Sequence, residues 1–363
     1  MKLYLIAPGN SQHTLKWCNA LCAKGFEVGL FTVHSTSGLN YHNSIKVYDF
    51  TKYGKIIGSV LITVKLLLLS MYTNYLLHAH YASSYGTIAR AVFTKRYMLS
   101  VWGSDVYEFP LQSNWKRWLL IKNLKGADLI CSTSENMKEQ VERLIGNKKV
   151  VVIPFGVDHK LFKKCSSLRS KERQTPKGEI VICTIKSYGE IYGTDILLKV
   201  FQKILFEYCK NNTNEKKLIL EIYGSGNQKP YKKLISELNI GDNVRLFPGV
   251  SNSEVPNILN GVDLFIALSR AESFGVSLLE AIFCEVPFVV SSAPGFFEIA
   301  ATLNSGVIVD LNDYNEISKI ILKNIYCTPS VDTLSRSRMI CVEKYSSEIC
   351  VNKMIEEYKK MRL

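Results

Sequence analysis

The sequence predicts an α/β protein built from two Rossmann-like, doubly wound domains that face each other across a cleft, and three observations carry that expectation. The chain has 363 residues, long enough for two hydrophobic cores. Short, continuously apolar, β-branched runs recur along it, the pattern of strands buried on both faces of a parallel sheet. Helical stretches alternate with these runs, as βαβ units require. A chain with 47% hydrophobic and 21% charged residues is an ordinary globular one, which excludes disordered, collagen-like and small disulfide-scaffold classes.

The first strand is KLYLIA (2–7), followed by a helix over 13–24 that stops at Gly25, then the strand FEVGLFTV (26–33). The five apolar residues before Pro8 are too few for a secretory signal. Residues 55–72, KIIGSVLITVKLLLLSMY, form the most apolar stretch, but Lys65 splits it. Two readings stand: a helix buried or half-buried in the domain, or a helix touching a bilayer surface with its lysines snorkelling. In LLHAHYASSYG (76–86), strand alternation puts His78 and His80 on one face. That suits either a metal pair or two packed histidines, and no third ligand is apparent. The strands YMLSVW (97–102), ADLICST (127–133) and KVVVIPF (149–155) complete a first domain over 1–160.

Residues 159–179 are polar, basic and aperiodic, with Pro176 and Gly178 at the end, and read as the linker. A second domain over 178–340 carries the strands EIVICTI (179–185), KLILEIYG (217–224), NVRLFPG (243–249), DLFIAL (263–268) and VPFVVSS (286–292). Helical spacing of Ile349, Val351, Met354, Ile355, Tyr358 and Met361 marks a C-terminal helix over 341–363.

Charge is uneven. Residues 1–165 hold 21 basic and 9 acidic side chains, and 166–363 hold 24 and 23. An anionic partner therefore meets the first half, unless the lysines only reflect a lysine-rich proteome. The ten cysteines are scattered and show no zinc spacing, which suits a reducing cytosol and predicts no metal site. No P-loop, GxSxG or strand-bound GxGxxG pattern occurs, so P-loop nucleotidases, serine hydrolases and nicotinamide enzymes are disfavoured.

The segment 269–298, SRAESFGVSLLEAIFCEVPFVVSSAPGFFE, carries the chemistry. A strand ends at Ser269, a loop brings Glu272, Phe274 and Gly275, and a helix begins near Val276. Gly275 allows close backbone approach, and the free N–H groups of Val276 and Ser277 make an anion site suited to a pyrophosphate. Glu280 lies eight residues past Glu272, about 12 Å along if the segment were all helix. Two carboxylates flanking a phosphate site suit hydroxyl recognition on either side of it. Alternatively, Glu272 is a helix cap and Glu280 a solvated helix face.

Taken with its surroundings, the chain resembles glycosyltransferase family 4, with the two-domain GT-B fold. The block from Glu272 to Glu280 followed by VPFVVSSAPGFFE resembles the family signature, VVIPFGVDHKLF (151–162) its interdomain segment, and GADLICSTS (126–134) the end of its first sheet. LEIYGSG (220–226) and RLFPGVS (245–251) resemble its nucleotide-pocket loops, and the terminal helix resembles the one that crosses back to the first domain.

The resemblance implies that Glu272 faces the donor sugar and Glu280 the nucleotide ribose. Gly224 then lines the nucleotide pocket, with Gly249 and Val250 near the base, and Gly9 and Asn10 lie in a loop beside the phosphates and the acceptor. Lys186 and Asp105 join Glu272 in the catalytic set, and Tyr192-Gly193 falls at the second diphosphate position. His78, His80 and Trp102 fall on the acceptor side. Five departures stand out: Lys186 for the usual Arg, Tyr192 for Lys, Trp102 for His, Ser273 for Gly, and Glu285 for Gly.

The implied activity is metal-independent, retaining transfer of a sugar from a UDP- or GDP-linked donor to a glycan hydroxyl, with no tightly bound cofactor. From the basic first half, the acceptor is expected to be linked to a polyprenyl diphosphate or another lipid. The enzyme would then lie peripherally on an anionic membrane, at the cytoplasmic face of a bacterial inner membrane, in O-antigen or capsule synthesis. The alternatives are a nucleotide-sugar 2-epimerase or phosphorylase on the same fold, or a non-catalytic sugar-binding protein; nucleic acid is not an expected partner.

Overall fold

A computed structural model describes residues 1–165, 178–211 and 216–362, so most of the linker expected over 159–179 lies outside the described residues. The chain forms two compact units: Met1–Phe155 with Cys350–Leu363, and Gly156–Ile349. The division thus falls at residue 155 instead of 160. The second unit runs beyond residue 340, and only from Cys350 does the chain belong to the first.

The first unit is a seven-stranded, all-parallel sheet in the order β3-β2-β1-β4-β5-β6-β7. The strands are Lys2–Ile6 (β1), Glu27–Thr32 (β2), Lys46–Asp49 (β3), Leu76–His80 (β4), Tyr97–Ser100 (β5), Leu129–Ser132 (β6) and Val150–Val152 (β7). Successive side chains point to opposite faces. Tyr4, Ile6, Phe31, Leu77, Ala79, Leu99 and Ile130 meet Ile62, Leu66, Ile88, Leu120, Leu124 and Val141 from the helices on one face. Leu3, Leu5, Leu30, Met98 and Cys131 meet Trp17, Cys18 and Leu21 of helix α1 (Gln12–Ala23) and Cys350, Val351, Met354 and Tyr358 on the other.

Helix α2 spans Gly54–Tyr72 and is buried along one narrow stripe only. Gly58, Ile62 and Leu66, one stripe at four-residue spacing, are its buried residues. A Cβ on Gly58 would meet Val33 Cγ1 at 2.9 Å and the Phe50 carbonyl at 3.0 Å, so a side chain there would push the helix off the sheet.

The second unit is a six-stranded, all-parallel sheet in the order β10-β9-β8-β11-β12-β13. Its strands are Glu179–Ile185 (β8), Lys217–Tyr223 (β9), Val244–Phe247 (β10), Leu264–Ala267 (β11), Phe288–Ser291 (β12) and Gly306–Val309 (β13). Their core packs Ile182, Leu220, Ile222, Leu264, Ile266 and Val289 against Leu197, Leu198, Phe201, Ile204, Ile317 and Ile321 of the helices Thr194–Asn211 and Tyr314–Tyr326.

The expected helix over 341–363 is two helices, Val331–Tyr345 and Ser347–Arg362, broken at Ser346. The break has a long-range cause. The backbone N–H of Val157 donates to the Tyr345 carbonyl and that of Ser347 to the Val157 carbonyl, both at 2.9 Å, forming a β-bridge between Val157 and Ser346. All ten cysteines are free thiols.

Candidate functional site

In the second unit, β8 and β11 are neighbours in the sheet although three strands apart in rank, so the winding direction reverses between them. Ligands of open α/β sheets bind outside the carboxyl ends of the strands at such a reversal. Lys186 follows β8 there, and the loop carrying Glu272 follows β11.

Close backbone contacts fix both loops. Gly193 has a left-handed backbone (φ +66°), and a Cβ on it would lie 1.9 Å from the Leu268 carbonyl oxygen, so only glycine fits. A Cβ on Gly224 would lie 2.0 Å from the Lys186 carbonyl oxygen, which brings the end of β9 against the end of β8. Arg270 makes a two-pronged bond to Asp195 at 2.7 Å on both oxygens and donates to the Glu190 carbonyl at 2.5 Å. The Arg270 guanidinium holds the Asp195 carboxyl below its ordinary value.

The Lys186 ammonium forms a hydrogen-bonded ion pair with the Glu272 carboxylate. Both side chains are largely shielded, at 12% and 13% exposure, so the pair is screened less than a surface pair. The ammonium lies 5.1 Å from the Phe296 ring centre and 5.7 Å from that of Tyr192. Tyr192, at the position where the resembled family has Lys, thus faces the Lys186 ammonium with a ring that favours positive charge.

Helix Val276–Phe283 begins immediately after the loop, with Gly275 as a left-handed cap (φ +92°). The N–H groups of Val276 and Ser277 have no carbonyl to meet within the helix, whereas those of Leu278 and Leu279 already donate to the Gly275 carbonyl. The Ser277 hydroxyl is buried and has no hydrogen-bond partner among the described residues. Glu280 is 6% exposed, which excludes the solvated-face alternative, and accepts a bond from Asn252 Nδ2 at 3.2 Å. Asn252 follows Gly249 and Val250, so the 248–252 loop is tied to the helix that carries Glu280. The Tyr188 hydroxyl donates to the Ile222 and Phe247 carbonyls, each at 2.9 Å, and so ties the loop after β8 to the ends of strands β9 and β10.

The structure thus brings Lys186, Tyr192, Glu272 and the start of the 276–283 helix together. It adds groups that the motif did not point to: Asn252, Phe296, Arg270 and Gly295. The Gly295 in APGF was readable as a tight turn, whereas nothing local marked Phe296 or Asn252. Glu285 also gains its physical account. Its backbone is left-handed (φ +56°), the conformation that suits glycine, and Ser335 Oγ anchors its carboxylate at 3.0 Å.

The first unit places its expected residues differently. Asp105, expected in the catalytic set, is fully buried; its carboxylate accepts from the backbone N–H groups of Ala82 (2.7 Å), Trp102 (3.0 Å) and Gly103 (2.9 Å). It is a brace for the loop, with no face left for a reacting atom. His78, expected on the acceptor side, is also fully buried, with Nδ1 2.6 Å from the Tyr358 hydroxyl and Nε2 2.8 Å from Ser100 Oγ. His80 Nε2 lies 3.3 Å from His78 Nδ1. Burial drives both pKa values down, that of His80 to about 3. No group of three or more His, Cys, Asp or Glu side chains able to hold a metal ion occurs among the described residues, and the histidines are packed.

Trp102 is partly exposed and sits edge-on to His13, His80, Tyr81 and Phe155, with ring centres 5.4–6.0 Å apart. His13 in turn stacks on Phe155 at 3.9 Å. Asn10 is exposed, and Gly9 is held by Thr32 Oγ1 and the Tyr41 hydroxyl, each at 2.8 Å.

Two family models match this chain: Glycosyl transferase 4-like over residues 2–134 and Glycosyl transferases group 1 over residues 167–336. The chain belongs to the group 1 glycosyltransferases, enzymes of the GT-B fold. N-acetyl-α-D-glucosaminyl L-malate synthase of Bacillus anthracis is 25% identical over 249 residues, which are 66% of this chain and 62% of that protein. The match therefore spans less than two thirds of that relative's length.

Among solved structures, sucrose-phosphate synthase from Thermosynechococcus elongatus superposes with a TM-score of 0.85 at 16% identity, over 99% of each chain. Anabaena HepE in complex with UDP-glucose superposes with a TM-score of 0.75 at 17% identity, over 99% of this chain and all of that one. At such identities the likeness establishes the fold.

Proposed function

We propose that this protein is a retaining glycosyltransferase that moves a sugar from a nucleotide-diphosphate sugar to a hydroxyl of a lipid-linked glycan. The observation that carries the reading is the 276–283 helix start, with its orphaned Ser277 hydroxyl, the Lys186–Glu272 pair before it and the buried Glu280 within it. HepE, the neighbour solved with UDP-glucose, makes a UDP-linked sugar the first donor to try.

In this reading the diphosphate sits at the helix start, where first-turn N–H groups and the Ser277 hydroxyl receive it. The anomeric C–O bond breaks and its electron pair passes to the diphosphate oxygen. Lys186 and the helix start meet that charge without reorganising, the condition under which electrostatic stabilisation is most effective. Glu272 lies beside the developing positive charge on the anomeric carbon, and Glu280 holds the ribose hydroxyls. The acceptor oxygen bonds to the anomeric carbon from the face the diphosphate leaves, and its proton passes to the departing phosphate oxygen.

The excess of basic residues over 1–165 supports an acceptor on an anionic surface, and with it a place on the cytoplasmic face of a bacterial inner membrane in O-antigen or capsule synthesis.

The test is a thermal-shift panel of UDP, GDP, ADP and their common sugar conjugates on wild type and Glu280→Ala. A ligand at one hundred times its Kd stabilises by about 2.7 kcal/mol. A shift with one nucleotide family that disappears in Glu280→Ala supports the donor site and names its base. No shift with any nucleotide overturns it. Product analysis with donor alone separates transfer from epimerisation.

A further inference from the structure

Helix α2 has a second face. Opposite its buried stripe of Gly58, Ile62 and Leu66, it exposes Ile56 (83%), Val60 (58%), Val64 (48%), Leu68 (54%) and Met71 (71%), a row at three- to four-residue spacing. It carries no acidic residue, and Lys52, Lys55 and Lys65 flank or interrupt it. Helix 85–91 packs between α2 and the helix Asn114–Gly126. All three share the core on one side of the sheet. The 114–126 helix exposes Trp115 and Trp118 and carries Lys116, Arg117, Lys122 and Lys125, and Phe93, just past the 85–91 helix, is 81% exposed. Residues 51–126 hold ten basic and two acidic side chains, and one of the acids, Asp105, is fully buried.

We infer that helices 54–72 and 114–126 form a monotopic docking face for an anionic lipid bilayer, with α2 lying in the interface plane. Among the described residues, α2 alone is long and apolar enough to cross a membrane. Its stripe through Gly58, Ile62 and Leu66 instead belongs to the domain core, and the Tyr75 hydroxyl donates to the Leu66 carbonyl at 2.7 Å. Spanning would tear that core open. Exposed aliphatics and tryptophans set among lysines suit the boundary of acyl chains and headgroups, where aromatic rings and snorkelling lysines both find their partners. Charge decides against a second copy of the chain, because two such basic faces repel each other, whereas anionic headgroups attract both helices.

The same helix also lines a cavity of about 400 Å³: Lys55 and Ser59 meet Pro8, His34, Tyr81 and Tyr85 there, beside the loop after β1. A lipid-linked acceptor would therefore meet a largely apolar chamber, edged by Lys55, Ser59 and His34, beside the docking face. The inference extends the proposed acceptor to the surface that carries it, and vesicle binding is read without donor or acceptor, so it can fail independently of the transferase reading.

The experiment is co-sedimentation with phosphatidylglycerol/phosphatidylcholine vesicles against pure phosphatidylcholine, at low and high salt, with tryptophan quenching by brominated lipid. Wild type should bind the anionic vesicles at least tenfold better and be released by salt. The triple variant V60E/V64E/L68E should lose that binding while keeping its melting temperature. Quenching should fall in W115F/W118F, because of the two tryptophans that remain Trp17 is buried and Trp102 is packed among His13, His80, Tyr81 and Phe155. No preference for anionic vesicles, or unchanged binding by the triple variant, overturns the proposal. So does protein that stays in the bilayer through high salt and carbonate, which would mean a spanning helix. A wild-type dimer that the triple variant converts to monomer, without vesicle binding, would mean that a second copy covers the face.

Discussion

Gly295 donates its backbone N–H to the Glu272 carbonyl at 2.9 Å, and a Cβ on Gly295 would lie 2.4 Å from the Phe274 nitrogen and 2.7 Å from the same carbonyl. The residue after Pro294 therefore sets the backbone that aims the Glu272 carboxylate. Gly295→Ala should displace this loop at a cost of about 1–3 kcal/mol, typical of overpacking. Calorimetry should show the lower melting temperature. Transfer should fall further than the stability loss explains, and wild-type turnover in a destabilised variant would disprove the link.

The Lys186–Glu272 pair predicts different signatures for its two members. Glu272→Gln leaves the cation and the helix start intact, so nucleotide binding should survive while turnover falls about a hundredfold, the scale of losing one preorganised electrostatic group. Lys186→Ala should weaken nucleotide diphosphate binding as well and strand a carboxylate beside Phe296. Isothermal titration with UDP or GDP against initial rates separates the two; equal loss of binding in both variants would mean that the pair is only a structural tie.

Asp105 serves as the opposite control. Its carboxylate accepts three backbone N–H bonds, which a carboxamide in its place cannot fully replace because the NH2 group would face donors. Asp105→Asn should cost about 1–3 kcal/mol of stability, the range for leaving a buried donor unmatched. Nucleotide binding by the folded protein should be unchanged. A variant as stable as wild type but inactive would restore Asp105 to the catalytic set.

At Glu285 the left-handed backbone and the Ser335 bond pull in opposite directions. Glu285→Ala keeps the unfavourable φ and loses the bond, whereas Glu285→Gly loses the bond but relieves the backbone. The glycine variant should be the more stable of the two by about 1 kcal/mol, the usual cost of a left-handed non-glycine residue. Equal denaturation midpoints would contradict the strain argument.

Burial holds the pKa values of His13 and His80 down to about 3, with His78 also well below its ordinary value. Each unfolded histidine takes up a proton near pH 6.5, whereas the folded ones do not until far lower. The unfolded state thus binds more protons in this window, and stability should fall as the pH drops from about 6.5 towards 3. His13→Phe, which keeps a ring against Phe155, should flatten the slope of melting temperature between pH 7 and 5. An unchanged slope would remove His13 from the titrating set.

Most strands were legible because a parallel strand buried on both faces is a continuous apolar run, as EIVICTI and ADLICST show. The edge strands β3 (KVYD) and β13 (GVIV) were not among those read. Edge strand β3 needs little apolar sequence, and its Lys46, Val47 and Asp49 are exposed, whereas β13 is apolar but only four residues long. The helix break at Ser346 was hidden for another reason, since its cause is a bridge to Val157, far away in sequence. At the site, the residues on consecutive loop positions, Glu272 to Glu280, were readable as a motif. Phe296, Asn252 and Ser335 act through tertiary contacts that no local spacing encodes. Asp105 shows why one dimension is not enough, since a buried brace and a catalytic acid look alike there.

The Tyr358–His78 hydrogen bond, with Cys350, Val351 and Met354, has a consequence for the order of synthesis. Residues 350–362 cover one face of the first sheet, yet the ribosome makes them after the whole second unit. As the chain emerges, Leu5, Met98 and Cys131 on strands β1, β5 and β6 must wait for their C-terminal cover, with only helix α1 on that face, while residues 156–349 are translated. Domains otherwise tend to fold one after another as they leave the ribosome, at about 5–20 residues per second. Here that face of the first core can be completed only after the second unit has been made, about tens of seconds later at that rate.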